Sequence, residues 1–125
     1  MPTPIRILVD DLTLSAELND SPTAQAIAAA LPIEAQGSRW GDEIYFSTSV
    51  RQSEADDARD VFDVGELGYW PPGSAFCIFY GPTPASSSDE PRMANPGNPI
   101  GRILDDATVL RQSRGSARVQ VVLDQ

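Results

Sequence analysis

The sequence predicts one mainly-β domain in which about eight short strands close into an antiparallel barrel, with one or two short capping helices. Its 125 residues suffice for one compact domain and are too few for two ordinary ones. Apolar residues alternate with polar ones over several short segments, and eleven prolines and nine glycines punctuate the chain between them. Because closure removes the edges of a sheet, a barrel is the architecture that we expect over residues 1–125.

The N-terminal part of the chain predicts a hairpin followed by a helix. Apolar residues alternate on both sides of Asp10-Asp11, which is typical of two antiparallel strands. Ser21 is a suitable N-cap and Pro22 suits the first helical position, where its missing N–H costs nothing. Apolar residues then recur at helical spacing until Pro32 ends the helix. The predicted strands are 5–9 and 12–18.

The central part predicts strands separated by tight turns and one polar loop. A weaker strand candidate ends at Trp40, Gly41-Asp42 turns the chain, and Pro71-Pro72-Gly73 forms a second turn. The run 75–80 is apolar on both of its faces, so it is either covered on both sides or shows one face to a ligand. The predicted segments are strands 33–40, 43–48, 61–64 and 75–80, with an exposed acidic loop at 52–60.

Residues 81–99 predict a long loop, because they contain five prolines and show no apolar periodicity. Loops of this length inside a compact domain are usually functional or disordered. The pattern then resumes with a strand at 100–104, a short aspartate-capped helical turn within 105–112, and a final alternating strand at 117–123.

Composition excludes several kinds of partner. The formal charge of −9 repels phosphate backbones and anionic lipid headgroups, so we expect no nucleic acid and no membrane partner. The single cysteine, Cys77, lies in an apolar run and predicts a buried, inert thiol in a reducing compartment. Neither a signal peptide pattern nor an apolar run near the roughly twenty residues of a membrane span occurs. We therefore expect a cytoplasmic protein.

Most familiar catalytic chemistry is also absent. The chain has no histidine, which removes imidazole bases and most zinc sites, and one cysteine cannot form a thiolate cluster. We therefore predict no catalytic residue, no metal and no cofactor. Neighbouring carboxylates are typical of solvated turns in so acidic a chain. Glu43 alternates onto the same face as Tyr45 and Ser47, and we expect it at the surface.

The aromatic residues locate the candidate site. All nine lie between Trp40 and Tyr80, so the rings available for a core or a binding wall come from one third of the chain. Trp70 precedes the rigid proline turn, and an arginine and an asparagine in the long loop could bind a polar group. We predict an aromatic-lined groove that binds a small molecule or peptide. The predicted contacts are Tyr45, Trp70, Tyr80, Arg92 and Asn98.

Four motifs together resemble a family of small bacterial and archaeal proteins with a cyclophilin-like fold. They are Trp40-Gly-Asp-Glu-Ile-Tyr-Phe46, Gly68-Tyr-Trp-Pro-Pro-Gly73, Phe76-Cys-Ile-Phe-Tyr-Gly-Pro-Thr-Pro84 and Asn98-x-Ile-Gly101. The resemblance implies a closed antiparallel barrel of about eight strands with helices at its open ends. The function of that family is unassigned, so the resemblance implies a fold and no activity.

The resemblance leaves two alternative functions open. True cyclophilins are prolyl isomerases with an arginine on a barrel strand, and the comparable strand here, 43–50, contains no arginine. A residual isomerase would have to use Arg51 or Arg92 as the hydrogen-bond donor. Other cyclophilin-like barrels resemble subunits of amide-hydrolysing enzymes, which implies a structural or regulatory domain in a homo-oligomer or larger assembly.

Overall fold

The computed structural model describes residues 2–113 and 115–124, and this part of the chain forms nine β-strands, one α-helix and two short 3-10 helices. The described part contains no helix of the length and apolarity that a membrane crossing requires. The helices are α1 (Pro22–Ala30) and the 3-10 turns Pro71–Gly73 and Ala107–Gln112. The strands are β1 (Thr3–Val9), β2 (Leu12–Leu18), β3 (Ile33–Arg39), β4 (Glu43–Ser47), β5 (Arg59–Val61), β6 (Glu66–Trp70), β7 (Ala75–Phe79), β8 (Arg92–Ile103) and β9 (Ser116–Leu123).

Eight of these strands form a closed antiparallel ring. Neighbours follow the order β2-β1-β9-β3-β4-β7-β6-β8, and β2 then pairs with β8 through Ala16 opposite Ile103 and Leu18 opposite Gly101. The short strand β5 pairs only with β8, outside the ring. Closure leaves the eight strands without a long free edge. The predicted closed, mainly-β sheet is therefore confirmed.

The first hairpin and the helix form where the sequence predicts them. Side chains that alternate inward from β1, such as Ile5 and Ile7, are fully buried inside the ring. The Ser21 hydroxyl accepts a hydrogen bond from the Ala24 amide at 3.2 Å, which caps α1, and Ile27 packs the helix onto the core. The short turn at 107–112 begins at the predicted type of cap, an aspartate.

Three strands depart from the prediction. Residues 92–99, predicted as part of a long loop, belong to β8, and residues 66–70, for which no strand was predicted, form β6 before the predicted turn at 71–73. Pro99 lies opposite Gly68 beside a shift in the β6–β8 register, and such irregularities accept a proline because the ladder needs no N–H there. The third is β5, which takes the end of the predicted loop at 52–60 and only the first residue of the strand predicted at 61–64, so that prediction is wrong for residues 62–64.

The sheet formed by β4, β7 and β6 is covered on both faces. Phe76 and Ile78 point into the ring and join its main core. Cys77 and Phe79 point outward and join a second, smaller apolar cluster. We call the segments that overlie this outer face the cover; it comprises residues 59–62 and 92–97, in which β5 pairs with the first half of β8.

Candidate functional site

A cavity of about 190 Å³ lies between the outer face of the β4–β7–β6 sheet and the cover. Aromatic side chains form much of its wall, namely Trp40, Tyr45 and Trp70. Further apolar lining comes from Ala75, Met93 and Ala94. Two residues bring polar chemistry, Glu43 and Cys77. The cavity therefore combines aromatic and apolar walls with one carboxyl and one thiol.

The turn between β3 and β4 places Trp40 beside Glu43. Gly41 has φ +62°, and a Cβ there would lie 2.8 Å from the Thr83 Cα, so the position requires glycine. The Trp40 amide donates a hydrogen bond to the Glu43 carbonyl oxygen at 2.8 Å. Tyr45 follows two residues later on the same face of β4. The chain thus brings two rings and a carboxyl to one end of the cavity.

A glycine in β6 lets the cover lie close to the sheet. A Cβ on Gly68 would lie 2.6 Å from Met93 Cε and 3.1 Å from two carbons of the Phe62 ring. Both of these residues belong to the cover, and Met93 also lines the cavity. The missing side chain at Gly68 therefore sets the height of the cavity roof.

Ion pairs hold the cover in place. Arg59 donates to both carboxylate oxygens of Glu66, with an Nη2–Oε2 distance of 2.5 Å. Arg92 donates from Nη1 to Asp60 at 2.7 Å and from Nε to Glu90 at 3.1 Å. Because these pairs join the two halves of the cover to each other and to the sheet, they position the roof of the cavity and do not line it.

Glu43 is buried, contrary to the expectation of a surface residue. The cover and the neighbouring rings leave its side chain 4% exposed, and its Oε1 atom has no hydrogen-bond partner among the described residues. Burial raises the pKa of this carboxyl from its ordinary 4.5 to about 7, and the nearby Cys77 thiol offsets part of that increase. Glu43 can therefore change protonation state near neutral pH.

The Cys77 thiol has little capacity to react. It is buried in the cavity wall, and Sγ lies 3.8 Å from the Ala75 carbonyl oxygen, to which it donates. Burial, followed by the charge of Glu43, raises the pKa of the thiol well above its usual value. A neutral thiol is a poor nucleophile, which agrees with the predicted buried and inert cysteine.

The arginines at this end of β4 are engaged by another carboxylate. Arg39 donates from Nη2 to Asp42 Oδ1 at 2.9 Å, and Arg111 donates from Nε to Asp42 Oδ2 at 3.2 Å. Asp42 thus receives both guanidinium groups, whereas its chain neighbour Glu43 has neither.

Trp70 contributes a second unpartnered polar atom. Its indole Nε1 is buried and has no hydrogen-bond acceptor among the described residues. The ring packs over Gly73, where an added Cβ would lie 3.0 Å from two ring carbons. Trp70 stands opposite Ala75 on β7, and Glu43 stands opposite Phe79, so the two residues enter the cavity from diagonal corners of the sheet with Cys77 between them.

The structure brings together two of the five predicted contacts. Tyr45, 37% exposed, and Trp70 line the cavity. Tyr80 lies in the main core inside the ring, Arg92 belongs to the ion pairs of the cover, and Asn98 is buried near α1. The aromatic residue that sequence reasoning left out of the site is Trp40, and the polar one is Glu43.

Asn98 and Tyr80 have structural surroundings. Asn98 accepts a hydrogen bond from the Ala55 amide at 2.8 Å and donates to Thr23 Oγ1 and to the Ser53 carbonyl oxygen, both at 2.9 Å. It therefore ties α1 to the segment before the cover. The Tyr80 ring packs in the core below the Arg39 guanidinium, and burial raises the pKa of its phenol.

A second depression, of about 300 Å³, has two of its carboxylates paired with arginines. It lies where β2 meets β8, and its lining includes Glu17, Arg102 and Glu66. Arg102 donates to Glu17 at 3.0 Å, and Glu66 is bound by Arg59. The cavity beside Glu43 is the candidate site because it is the one of the two with polar atoms left unsatisfied.

Comparisons with known proteins support the fold. A family model described as cyclophilin-like matches residues 3–122. The chain is also similar to a hypothetical protein from Archaeoglobus fulgidus whose solution structure is known, with 38% identity and a TM-score of 0.82. That match covers 98% of this chain and 95% of the archaeal one. No curated protein matches the chain.

Proposed function

We propose that this chain, which belongs to the cyclophilin-like family, binds a compact small molecule in the cavity beside Glu43. The observation that carries the proposal is a buried carboxyl with an unpartnered oxygen in the wall of an aromatic cavity. Small-molecule sites typically combine apolar and aromatic walls with a few placed polar groups. The cavity has this composition.

Folding alone gives no reason for a carboxyl at this position. Buried polar atoms are almost always hydrogen-bonded, and leaving one unpaired costs about 1–3 kcal/mol. A leucine or methionine at position 43 would fill the same space without that cost. Glu43 Oε1 and Trp70 Nε1, which lack partners, belong to residues that line one cavity, and a ligand that supplies those partners would account for both.

The volume limits the size of that ligand. A cavity of about 150 Å³ accepts benzene. The 190 Å³ found here therefore suits one ring with a substituent, or a short branched chain. A peptide could insert one side chain at most, so a small molecule is the better match.

An arginine is not among the residues that line the cavity. Arg51 is exposed, and Arg92 is held by Asp60 and Glu90. A residual isomerase built on either arginine therefore gains no support from the cavity, and it stays a prediction. The same holds for a role as a subunit of a larger assembly.

Intrinsic fluorescence tests the proposal directly, because both tryptophans of the chain line the cavity. Three probes of similar size and different charge, namely benzylamine, benzamide and benzoate, would be titrated at millimolar concentrations. We expect a saturable change with at least one of them.

A matched pair of variants assigns the signal to the cavity. Ala94 is exposed at the rim and lines the cavity, whereas Asn95 follows it, is equally exposed and does not line it. Ala94→Phe should abolish the saturable change and Asn95→Phe should retain it. If no probe saturates, or if both variants bind alike, the cavity is not the binding site.

A further inference from the structure

Glu43 lacks the counter-ion that a buried carboxylate normally has. It is the one cavity-lining residue, within the part of the chain that the structure describes, whose side chain is of a type charged at neutral pH. Buried charges in proteins are usually paired. Both arginines near this end of β4, Arg39 and Arg111, are bound to Asp42 instead. Glu43 is therefore protonated below about pH 7, and above that pH a positive charge to pair with it would come from outside the described residues.

The walls around this carboxyl suit a cation. Trp40, Tyr45 and Trp70 present three aromatic rings to one cavity. The negative faces of such rings attract ammonium groups, tryptophan most strongly, and rings combined with an acid form the cages that bind alkylated ammonium ions. The net charge of −9 adds a favourable long-range field for the same sign of ligand.

We infer that the ligand of this cavity is a small organic cation whose ammonium group lies against the Glu43 carboxylate and the aromatic walls. The inference rests on the proposed function and specifies its ligand class. An alkylated ammonium group of four or five carbons is of a size that the 190 Å³ cavity can hold. A hydroxyl or carbonyl oxygen elsewhere on the ligand would accept from the unpartnered Trp70 indole.

Binding of such a cation should be linked to release of a proton. The titratable groups that interact with Glu43 are the Cys77 thiol from β7 and the Tyr80 phenol that follows β7. Tyr45, from the same strand as Glu43, also lines the cavity, and the cover adds only apolar Met93 and Ala94 to the lining. The neighbouring Asp42 is already paired with two arginines. Because the pKa of Glu43 is about 7 without a ligand, a cation must displace its proton at lower pH.

The decisive experiment compares two probes of one shape. 3,3-Dimethylbutan-1-ol has a neutral quaternary carbon where choline has its positively charged quaternary nitrogen. The two compounds therefore differ in charge and have nearly the same volume. Their dissociation constants would be measured at pH 8 by tryptophan fluorescence, with the native chain and with Glu43→Gln. We expect choline to bind the native chain at least tenfold more tightly than the alcohol, and the variant to lose this difference.

A pH series on the native chain gives a second readout that needs no variant. The affinity for choline should fall about fivefold from pH 7 to pH 6 and about tenfold per unit below that, until it equals the affinity for the alcohol, which stays constant. If the alcohol binds as tightly as choline, the inference is wrong and the cavity remains a neutral binding site. A choline preference that persists in Glu43→Gln also overturns it. If neither probe binds while benzamide or benzoate does, only the ligand class is wrong; if no probe binds, the proposed function fails too.

Discussion

Replacing Glu43 with glutamine tests whether this carboxyl is as buried and unpaired as the structure shows. In the folded chain its pKa is about 7, and in the unfolded chain it returns to its ordinary 4.5. The folded state therefore binds this proton more tightly than the unfolded state does. The resulting stabilisation is fully present below pH 4.5 and is lost as the pH rises through 7.

The size of the effect follows from proton linkage. Each unit of difference between folded and unfolded pKa corresponds to about 1.4 kcal/mol. For a carboxyl that moves from 4.5 to about 7, the native chain should lose about 2.5 kcal/mol of unfolding free energy between pH 5 and pH 8 through this group. Glutamine does not titrate, so Glu43→Gln should lose this component entirely. The difference in unfolding free energy, variant minus native chain, should therefore be about 2.5 kcal/mol larger at pH 8 than at pH 5.

Urea denaturation at pH 5, 6, 7 and 8 measures this difference for both proteins. The other carboxyls titrate equally in the two chains and cancel when the two stabilities are subtracted. Any fixed cost of burying the amide shifts the difference by a constant and leaves its slope unchanged. Glu54→Gln, at an exposed position, is the matched control and should run parallel to the native chain. A difference that stays flat for Glu43→Gln from pH 5 to pH 8 would refute the reasoning.

Three further substitutions test the structural roles of residues around the site. Asn98→Ala removes one buried and two partly buried hydrogen bonds and should lower the unfolding free energy by about 2–4 kcal/mol in urea, whereas a loss below about 1 kcal/mol would contradict its tie to α1. Gly101→Ala would place a Cβ 2.1 Å from the Glu17 carbonyl oxygen where β2 closes the ring, so thermal denaturation should show a loss of at least about 2 kcal/mol; native-like stability would be inconsistent with that contact. Arg92→Ala breaks partly exposed ion pairs and should leave stability in urea nearly unchanged; fragment affinity should stay within twofold because the Arg59–Glu66 pair still holds the cover on the sheet, and a tenfold loss of affinity would contradict this.

Local sequence signals predicted most of the ring because its strands obey local rules. Alternation over β1, β2 and β9 marks which side chains face the core, and the Ser21-Pro22 pair marks the helix start. The signal fails over residues 92–99 of β8, where Pro96 and Pro99 interrupt the pattern. That segment is a strand because β5 and β6 pair with it and a register shift accommodates Pro99, and a single sequence does not show such distant pairing.

The same limit separates the predicted site from the observed one. Alternation of side chains along 75–80 predicts a strand with one face in the core and the other available to a ligand. In the structure one face of this strand joins the main core and the other joins the smaller apolar cluster under the cover. Alternation along the strand places Tyr80 on the same face as Phe76, and both lie in the core. The prediction of Tyr80 as a ligand contact disregarded this alternation. Glu43 looked solvent-exposed because its own strand does not reveal the cover, which arrives from residues 59–62 and 92–97.

The position of the unsatisfied polar atoms is the strongest argument that the cavity has a function. In the described residues, three buried side-chain atoms lack partners, and two of them belong to Glu43 and Trp70 in one cavity. The third is the Tyr80 hydroxyl in the main core. Natural chains keep unsatisfied polar atoms mainly where function requires them. A ligand that binds only the folded chain raises its unfolding free energy by RT ln(1 + [L]/Kd), which is about 2.7 kcal/mol at a ligand concentration of a hundred times Kd. That gain is comparable with the roughly 2.5 kcal/mol of unfolding free energy that the chain loses when Glu43 ionises. A bound cation would therefore restore, above pH 7, the stability that the chain without a ligand loses.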